Sequence, residues 1–477
     1  MQRKLKTKYL CILLLVLIFV IGFIVRLYRF DNPVADWHSW RQADTSAVSR
    51  IFVEHGFDVL HPRYLDISNI QTGKNNPEGY RFVEFPIYNV FQASLFEVFG
   101  KFTIEEWGRL VSIVSSMFTG LLLFLIIKKH NDTISAFFTT FFYMFLPFSI
   151  YYSRTILPDT MMVTATMGGI YFFDLYLDRK KNDRYILLLI STILTSASFL
   201  LKPYALFFAL PQVYLAYKKY NLKVFLRLDL WIHLLVSVTP LVWWRIFIMQ
   251  YPEGIPASTW LFNGNGIRFR PAFFRWIFYE RITRLISGYF GVILLALGVM
   301  MIRKKIRQYL LPLSFITSSL LYICIIATGN VQHDYYQILI MPSVAIFMGL
   351  GAVYLWNKGI NFRIGLFVVA TLSLYFSWNL VKDYFNINNR ALVVAGQKAD
   401  AILPKNAKVI APYGGDTTFL YYINRQGWPT FQDSVDNLKK LGATNIVIVN
   451  PTDQDREGFG KMYMVLASSS EYLILKL

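Results

Sequence analysis

From Asp36 to Thr45 the chain reads Asp-Trp-His-Ser-Trp-Arg-Gln-Ala-Asp-Thr, two carboxylates, an imidazole and a guanidinium directly after the first apolar segment. Ionisable groups beside hydrocarbon are costly and are functional candidates by default. Three further polar groups stand at the ends of other apolar segments: Tyr151-Tyr152-Ser153-Arg154-Thr155-Ile156-Leu157-Pro158-Asp159, Leu201-Lys202-Pro203 and Gln332-His333-Asp334-Tyr335-Tyr336. The loop after the first segment adds Arg63, Arg81 and Glu84. Cations and carboxylates together suit transfer of a sugar from a lipid phosphate. Arg or Lys neutralises the phosphate at the interface, and a carboxylate takes the proton of the attacking hydroxyl.

Each of these residues also has a plainer reading. Asp44 can cap or solvate an interfacial helix, and Asp36, after a Pro-containing connector, reads as a turn residue. Arg154 and Lys202 can snorkel from span ends, although Asp159 five residues beyond Arg154 favours function there. His38 and His333 have acids nearby but no compact ligand cluster, so they read as hydrogen-bonding groups, with no metal or other cofactor expected. Arg268, Arg270 and Arg275 read as a solvated face. The resulting candidates are Asp44, Asp36 and Asp159 for catalysis, and His38, Arg41, Arg63, Glu84, Arg154, Lys202, His333 and Tyr335 for substrate binding.

The elements that must position them are membrane spans. A chain of 477 residues that is 55% apolar and 17% aromatic, with a mean hydropathy of +0.41, is too apolar for a soluble globule. Segments long enough to span number about eleven: Tyr9 to Val25, Trp107 to Ile127, Ile134 to Tyr151, Thr160 to Leu177, Tyr185 to Leu201, Tyr204 to Tyr217, Leu230 to Met249, Leu285 to Ile302, Tyr309 to Ala327, Tyr336 to Trp356 and Ile364 to Val381. The basic N-terminus (Arg3, Lys4, Lys6, Lys8) lacks a small-residue cleavage site after it, which predicts an uncleaved first span with its N-terminus in the cytoplasm. Alternation from there puts Lys128-Lys129, Arg179-Lys180-Lys181, Lys218-Lys219 with Lys223 and Arg227, Arg303-Lys304-Lys305 with Arg307, and Lys358 with Arg363 all inside, as basic short loops require. The formal charge of +19 is therefore topogenic, and nucleic acid is not an expected partner. Cys11 and Cys324 fall within apolar runs and form no disulfide framework or zinc spacing.

Topology then places the four polar elements on the outer face, where they are expected to meet. The first loop, about 27–106, carries an amphipathic segment from Phe85 to Phe99 ending at Gly100, suited to a helix lying in the membrane interface. From Lys382 the composition changes. Ala407 to Ile410, Thr444 to Val449 and Tyr472 to Leu475 read as short strands, and Ala391 to Ile402 and Asp433 to Leu441 as helices. The expected organisation is a span module over 1–381 that includes the loop, followed by a small extracytoplasmic α/β domain over 382–477.

The order of apolar segments, the acids after the first span, the Tyr-Ser-Arg…Pro-Asp element at Arg154 and Asp159, the Lys202-Pro203 turn and Asp334-Tyr335-Tyr336…Pro342 together resemble the GT-C superfamily. Glu84-Phe85-Pro86-Ile87-Tyr88…Phe99-Gly100…Arg109-Leu110 is similar to the interfacial helix and second span of its protein O-mannosyltransferase and lipid A aminoarabinose transferase group. The similarity covers roughly residues 8–380. It implies a polytopic helical membrane glycosyltransferase of the cell (inner) membrane that uses a polyprenyl-phosphate sugar, acts on the noncytoplasmic side on an acceptor glycan, lipid or protein, and inverts the anomeric carbon. It also implies an acidic first-loop residue as general base, Arg154 and Lys202 on the donor phosphate, and Asp159 as an orienting group. Where the group carries adjacent Asp-Glu at the start of the loop helix, this chain has Arg41-Gln42. The base therefore lies between Asp44, which a helix would hold rigidly, and Asp36, with Asp44 ranked first. A lipid-linked saccharide flippase is the rival class, and it predicts polar groups near the middle of broken spans.

Overall fold

A computed structural model describes residues 2–181, 183–304 and 306–477. The side chains of Arg3, Lys4, Lys6, Lys8, Arg303, Lys304, Lys305 and Arg307, all assigned above to the cytoplasmic side, lie outside the described residues. The chain divides into two compact units: Met1–Phe30 with Arg109–Trp244 and Ser258–Asp383, and Asp31–Gly108 with Arg245–Ala257 and Tyr384–Leu477.

The first unit is helical, and each of the eleven apolar segments is helical in it. Among the described residues six helices, including Tyr9–Arg26, Ile104–His130, Arg184–Leu201, Leu228–Ile248 and Asp334–Trp356, are long and apolar enough to cross a membrane. A seventh crossing is formed if Pro271–Ile286 and Gly291–Ile302, bent by 115° at their junction, count as one span. Others are interrupted or more polar, for identifiable reasons. Pro147 breaks the third segment into Thr133–Phe145 and Pro147–Tyr152. The sixth opens as a 3-10 turn, Pro203–Ala209, before Leu210–Tyr220, and Asp159–Asp178 carries acids at both ends and at Asp174. At the end of the first helix Arg26 is fully buried and donates to the Gly22 and Met144 carbonyls at 2.8 and 2.9 Å and to Ser153 Oγ at 2.6 Å. Those bonds satisfy a charge that hydrocarbon would otherwise expel.

The second unit is built on a five-stranded sheet: β1 Val409–Ile410, β2 Gly427–Trp428, β3 Asn445–Val449, β4 Met464–Ser468 and β5 Tyr472–Lys476, in the order β2-β1-β3-β5-β4. β1 runs parallel to β2 and β3, β5 is antiparallel to β3 and β4, and β4 is irregular between Val465 and Ala467. Ile67 from the first loop packs into the sheet core with Ile410, Trp428, Ile446, Leu473 and Leu475. Beside it the loop pairs with the edge of β2: the Ile67 N–H donates to the Gly427 carbonyl at 3.0 Å and the Gly427 N–H to Leu65 at 2.9 Å. The first loop thus folds with the C-terminal residues, whereas the expected boundary at 381/382 grouped it with the spans.

The helices Ser39–His55 and Ile87–Phe99 lie against each other in this unit through polar groups. Asn89 Nδ2 donates to the Thr45 carbonyl at 2.7 Å, and Ser49 Oγ to Gln92 Oε1 at 2.8 Å. The segment read as an interfacial helix therefore turns its amides inward, while Phe91, Val98 and Phe99 are 53, 74 and 62% exposed.

Candidate functional site

Three of the four polar elements come together in the helical unit. Lys202 precedes Pro203, which bars the helical conformation at the residue before it. Arg184–Leu201 accordingly ends there, with Lys202 extended at φ −157° and ψ 128°. Its side chain, 9% exposed, reaches Asp159, and Nζ donates to Oδ1 at 2.8 Å. Asp159 is the first residue of Asp159–Asp178, where the partial positive charge of a helix N-terminus favours an acid. Its Oδ2 is buried with no hydrogen-bond partner among the described residues. The ammonium of Lys202 also lies 5.4 and 5.7 Å from the ring centres of Tyr335 and Tyr336, within cation–π range. His333 stacks on those rings at 5.4 and 6.0 Å.

Next to this pair, Tyr152 Oη donates to Asp334 Oδ1 at 2.5 Å, and Arg281 Nη1 stands 3.9 Å from Asp334 Oδ2. Arg154 is 1% exposed, and its Nη1 donates to the Arg29 carbonyl at 2.6 Å. These elements therefore bring together two buried acids, Asp159 and Asp334, each with a cation beside it, and the buried Arg154, which donates to a carbonyl. An incoming phosphate can compete for cations held in this way, because anionic oxygens accept the same bonds.

The first-loop candidates assemble separately, within the sheet unit. His38 takes the left-handed region, φ 56° and ψ 36°, immediately before Ser39–His55, and its ring lies 5.0 Å from that of Trp37, which stacks on Tyr384 at 4.9 Å. Asp36 is 1% exposed, and Gln42 Nε2 donates to its Oδ1 at 2.7 Å. Arg41 turns away to Glu84, with Nη2 to Oε1 at 2.5 Å and both side chains largely buried. At the Arg41-Gln42 step, where acids were looked for, the amide thus carries the acid of the preceding connector. Asp44 is also 1% exposed; Thr417 Oγ1 donates to Oδ1 at 2.6 Å, and Arg81 Nη2 forms an ion pair with Oδ2 at 2.7 Å. Asp44 is thus held by one hydroxyl and one guanidinium. Arg63 is half-exposed and pairs with Glu78 at 3.3 Å.

Sequence reasoning missed Arg281, Asp334 as an ion-pair acid, Thr417 and Asp66. Arg281 belongs to the long stretch between two apolar segments, where charge rules give no constraint, and Thr417 is 373 residues from Asp44. The signal for Asp334 was present in its adjacency to Tyr335. Asp66 is 1% exposed and accepts from the Ser68 N–H at 2.8 Å. Burial pushes its carboxyl up to about 6 against the lowering effect of Ser68. Burial also raises Asp416, and the Asp44 charge adds to that rise. Among the described residues no three His, Cys, Asp or Glu side chains are grouped to hold a metal ion.

Asp66 gives a pH prediction. The folded carboxyl titrates near 6 and an unfolded aspartate near ~3.9, so the folded state binds this proton more tightly. The contribution is fully present below about pH 4, declines as pH rises through 6, and leaves the fold up to ~3 kcal/mol weaker above that. Asp66→Asn keeps an acceptor for Ser68 and removes the charge. It is expected to raise the unfolding midpoint at pH 7.5 and leave it unchanged at pH 4, as thermal unfolding at the two values would read. Equal shifts at both would exclude the charge as the cause.

The model of the dolichyl-phosphate-mannose-protein mannosyltransferase family matches residues 84–244. No curated protein matches the chain by sequence search. By structure, the chain is similar to ArnT from Cupriavidus metallidurans bound to undecaprenyl phosphate, with TM-score 0.67 and 14% identity over 98% of this chain and 97% of that one. It is also similar to the archaeal oligosaccharyltransferase AglB from Archaeoglobus fulgidus in complex with an inhibitory peptide and a dolichol-phosphate, with TM-score 0.62 and 10% identity over 94% and 70%. Both the helical unit and the C-terminal sheet fall within these matches. The chain thus shares the fold of these two structures over nearly its whole length, and the family match spans the loop helix and the Arg154, Asp159 and Lys202 elements.

Proposed function

We propose that the protein is an integral-membrane glycosyltransferase that moves a sugar from a polyprenyl-phosphate carrier to an acceptor at the outer face of the cell membrane. The observation that carries this reading is Lys202, a buried cation held by one carboxylate oxygen and two tyrosine faces and suited to exchange its partner for a phosphate. The ligands in the two similar structures, undecaprenyl phosphate and dolichol-phosphate, support the same donor class. Lys202 and Arg154 neutralise the departing phosphate, His333 and Tyr335 frame it, and Asp159 orients Lys202. A first-loop carboxylate is the general base, Asp36 in this reading with Asp44 as the other candidate. The acceptor oxygen attacks the anomeric carbon, its proton passes to the carboxylate base, and the carbon–oxygen bond to phosphate breaks with the electron pair leaving on the phosphate. One displacement inverts that carbon. Arg41, with Glu84, fixes the helix that presents Gln42 to Asp36.

The flippase reading is weaker. Asp159 and Asp334 open their helices and Lys202 follows the end of its own, whereas a transporter needs such groups near mid-membrane. The charge pattern of the loops supports a cytoplasmic N-terminus, an outer C-terminal domain and the interfacial placement of Ile87–Phe99.

The test is transfer of radiolabelled sugar from a panel of polyprenyl-phosphate sugars into membrane extracts, with wild type, Asp36→Asn and Asp44→Asn compared. Loss of a general base is expected to lower transfer by ~10²–10⁴-fold in Asp36→Asn with its unfolding midpoint unchanged. Transfer that survives in this variant moves the base to Asp44. Absence of transfer from every donor by the wild type sinks the enzyme reading.

A further inference from the structure

The sheet unit contains a second concavity, of about 560 Å³, which neither Asp36 nor Asp44 lines. That volume falls within the ~300–1,000 Å³ of small-molecule sites. One wall is the C-terminal end of Ser39–His55 and the turn beyond it, with Phe52, Glu54, Asp58, His61 and Arg63. The other is formed by residues 405–408 and 424–426.

Both walls are set before any ligand arrives. Arg425, 1% exposed, donates to the Pro404, Leu403 and Asn424 carbonyls at 2.7, 2.6 and 2.7 Å and to Asp400 Oδ1 at 2.6 Å. It thereby clamps the two loops together. Opposite, Gly56 with φ 91° ends the helix in a conformation that favours glycine. His61 is then fixed between the Asp58 carboxylate at 3.1 Å and the Tyr251 hydroxyl at 3.2 Å. Arg50 ties the walls to each other through Asn424 Oδ1 at 3.1 Å. A pocket shaped in advance loses less entropy on binding.

The lining chemistry selects the ligand. A phosphate site would present donors throughout, and a cation site acceptors throughout. Here acceptor carboxylates (Glu54, Asp58) stand with donor cations (Arg63, Lys405, Lys408) and with amides that do both (Asn406, Gln426), Arg425 being turned to its own loops. Phe52 and Leu65 add an apolar patch. Hydroxyls that each donate and accept, on a ring with an apolar C–H face, match this mixture. We propose that the pocket binds an oligosaccharide, the glycan part of the acceptor, which makes the acceptor a saccharide-bearing molecule. The word acceptor rests on the transferase reading; the binding does not.

The experiment applies labelled full-length protein in nanodiscs to an array printed with neutral and uronic-acid-bearing oligosaccharides, phosphatidyl lipids and unglycosylated peptides. Asn406 is exposed and Lys408 half-buried, so the double variant Asn406→Ala/Lys408→Glu leaves the core intact, as its unfolding midpoint would verify; Gln426→Leu is an independent second variant. The expected result is retention on oligosaccharides, reduced at least ~10-fold (about 1.4 kcal/mol) in either variant and unchanged in Asp36→Asn. Retention on lipids or peptides alone, retention nowhere, or oligosaccharide binding that survives both variants overturns the proposal. Transfer of radiolabelled sugar from the polyprenyl-phosphate donor panel, followed in the same preparations, keeps the two ideas apart. Glycan binding without donor turnover sinks the transferase reading and leaves the pocket standing, while turnover without glycan binding does the reverse.

Discussion

Lys202→Met is expected to reduce sugar transfer by ~10²–10³-fold, the usual cost of removing one donor aimed at developing charge. The pair it breaks is buried, with side chains 9 and 5% exposed. Removal of the cation also leaves Asp159 uncompensated, at a cost of ~3–5 kcal/mol. Loss of activity alone would therefore not separate donor binding from folding. The double variant Lys202→Met/Asp159→Asn removes both charges and is expected to recover most of the stability, since charge-free replacement of a buried pair is often neutral. Transfer should stay low in it. A double variant that regains both stability and transfer would reduce the pair to a structural tie.

Arg81→Met is expected to be the most damaging change to the sheet unit. Arg81 and Asp44 are 5 and 1% exposed as an ion pair 2.7 Å apart. Arg81 also donates from Nη1 to Gln71 Oε1 at 3.0 Å and lies 4.8 Å from the centre of the Tyr64 ring. Without it the Asp44 charge is buried against Thr417 alone, with Asp66 and Asp416 nearby as further acids. A loss of ~3–5 kcal/mol is expected, read as a lower unfolding midpoint and faster proteolysis of the 384–477 segment. Adding Asp44→Asn should return part of it, as coupled neighbours do. Full additivity of the two variants would show that the pair is not the source.

What could be read in the sequence follows the range of the interactions concerned. Apolar length and basic loops located the helices, because hydrophobicity and topogenic charge are local properties, and the strands around Val409, Ile446 and Ile474 showed as continuous apolar runs. β2 is two residues long and begins with glycine, and β4 is mostly exposed, so neither carries a usable period. The association of Ile67 with the C-terminal core spans more than 340 residues and leaves no local trace. Site residues divide in the same way. Lys202 showed because a cation before proline at a span end is conspicuous. Asp44 lies on the helix that the sequence indicates, but its partners Arg81 and Thr417 are remote in sequence and leave no local trace.

The helix Ile87–Phe99 folds inside out, with amides toward its protein neighbour and phenylalanines outward. For a soluble domain, water and a protein core are the only two solvents. In the interfacial placement proposed for this helix a third, the acyl chains of the bilayer, receives Phe91 and Phe99. The lipid then belongs to the folding medium of the unit that carries the proposed base. Stability measured in a lipid-poor micelle and stability in a membrane are, for this unit, different quantities.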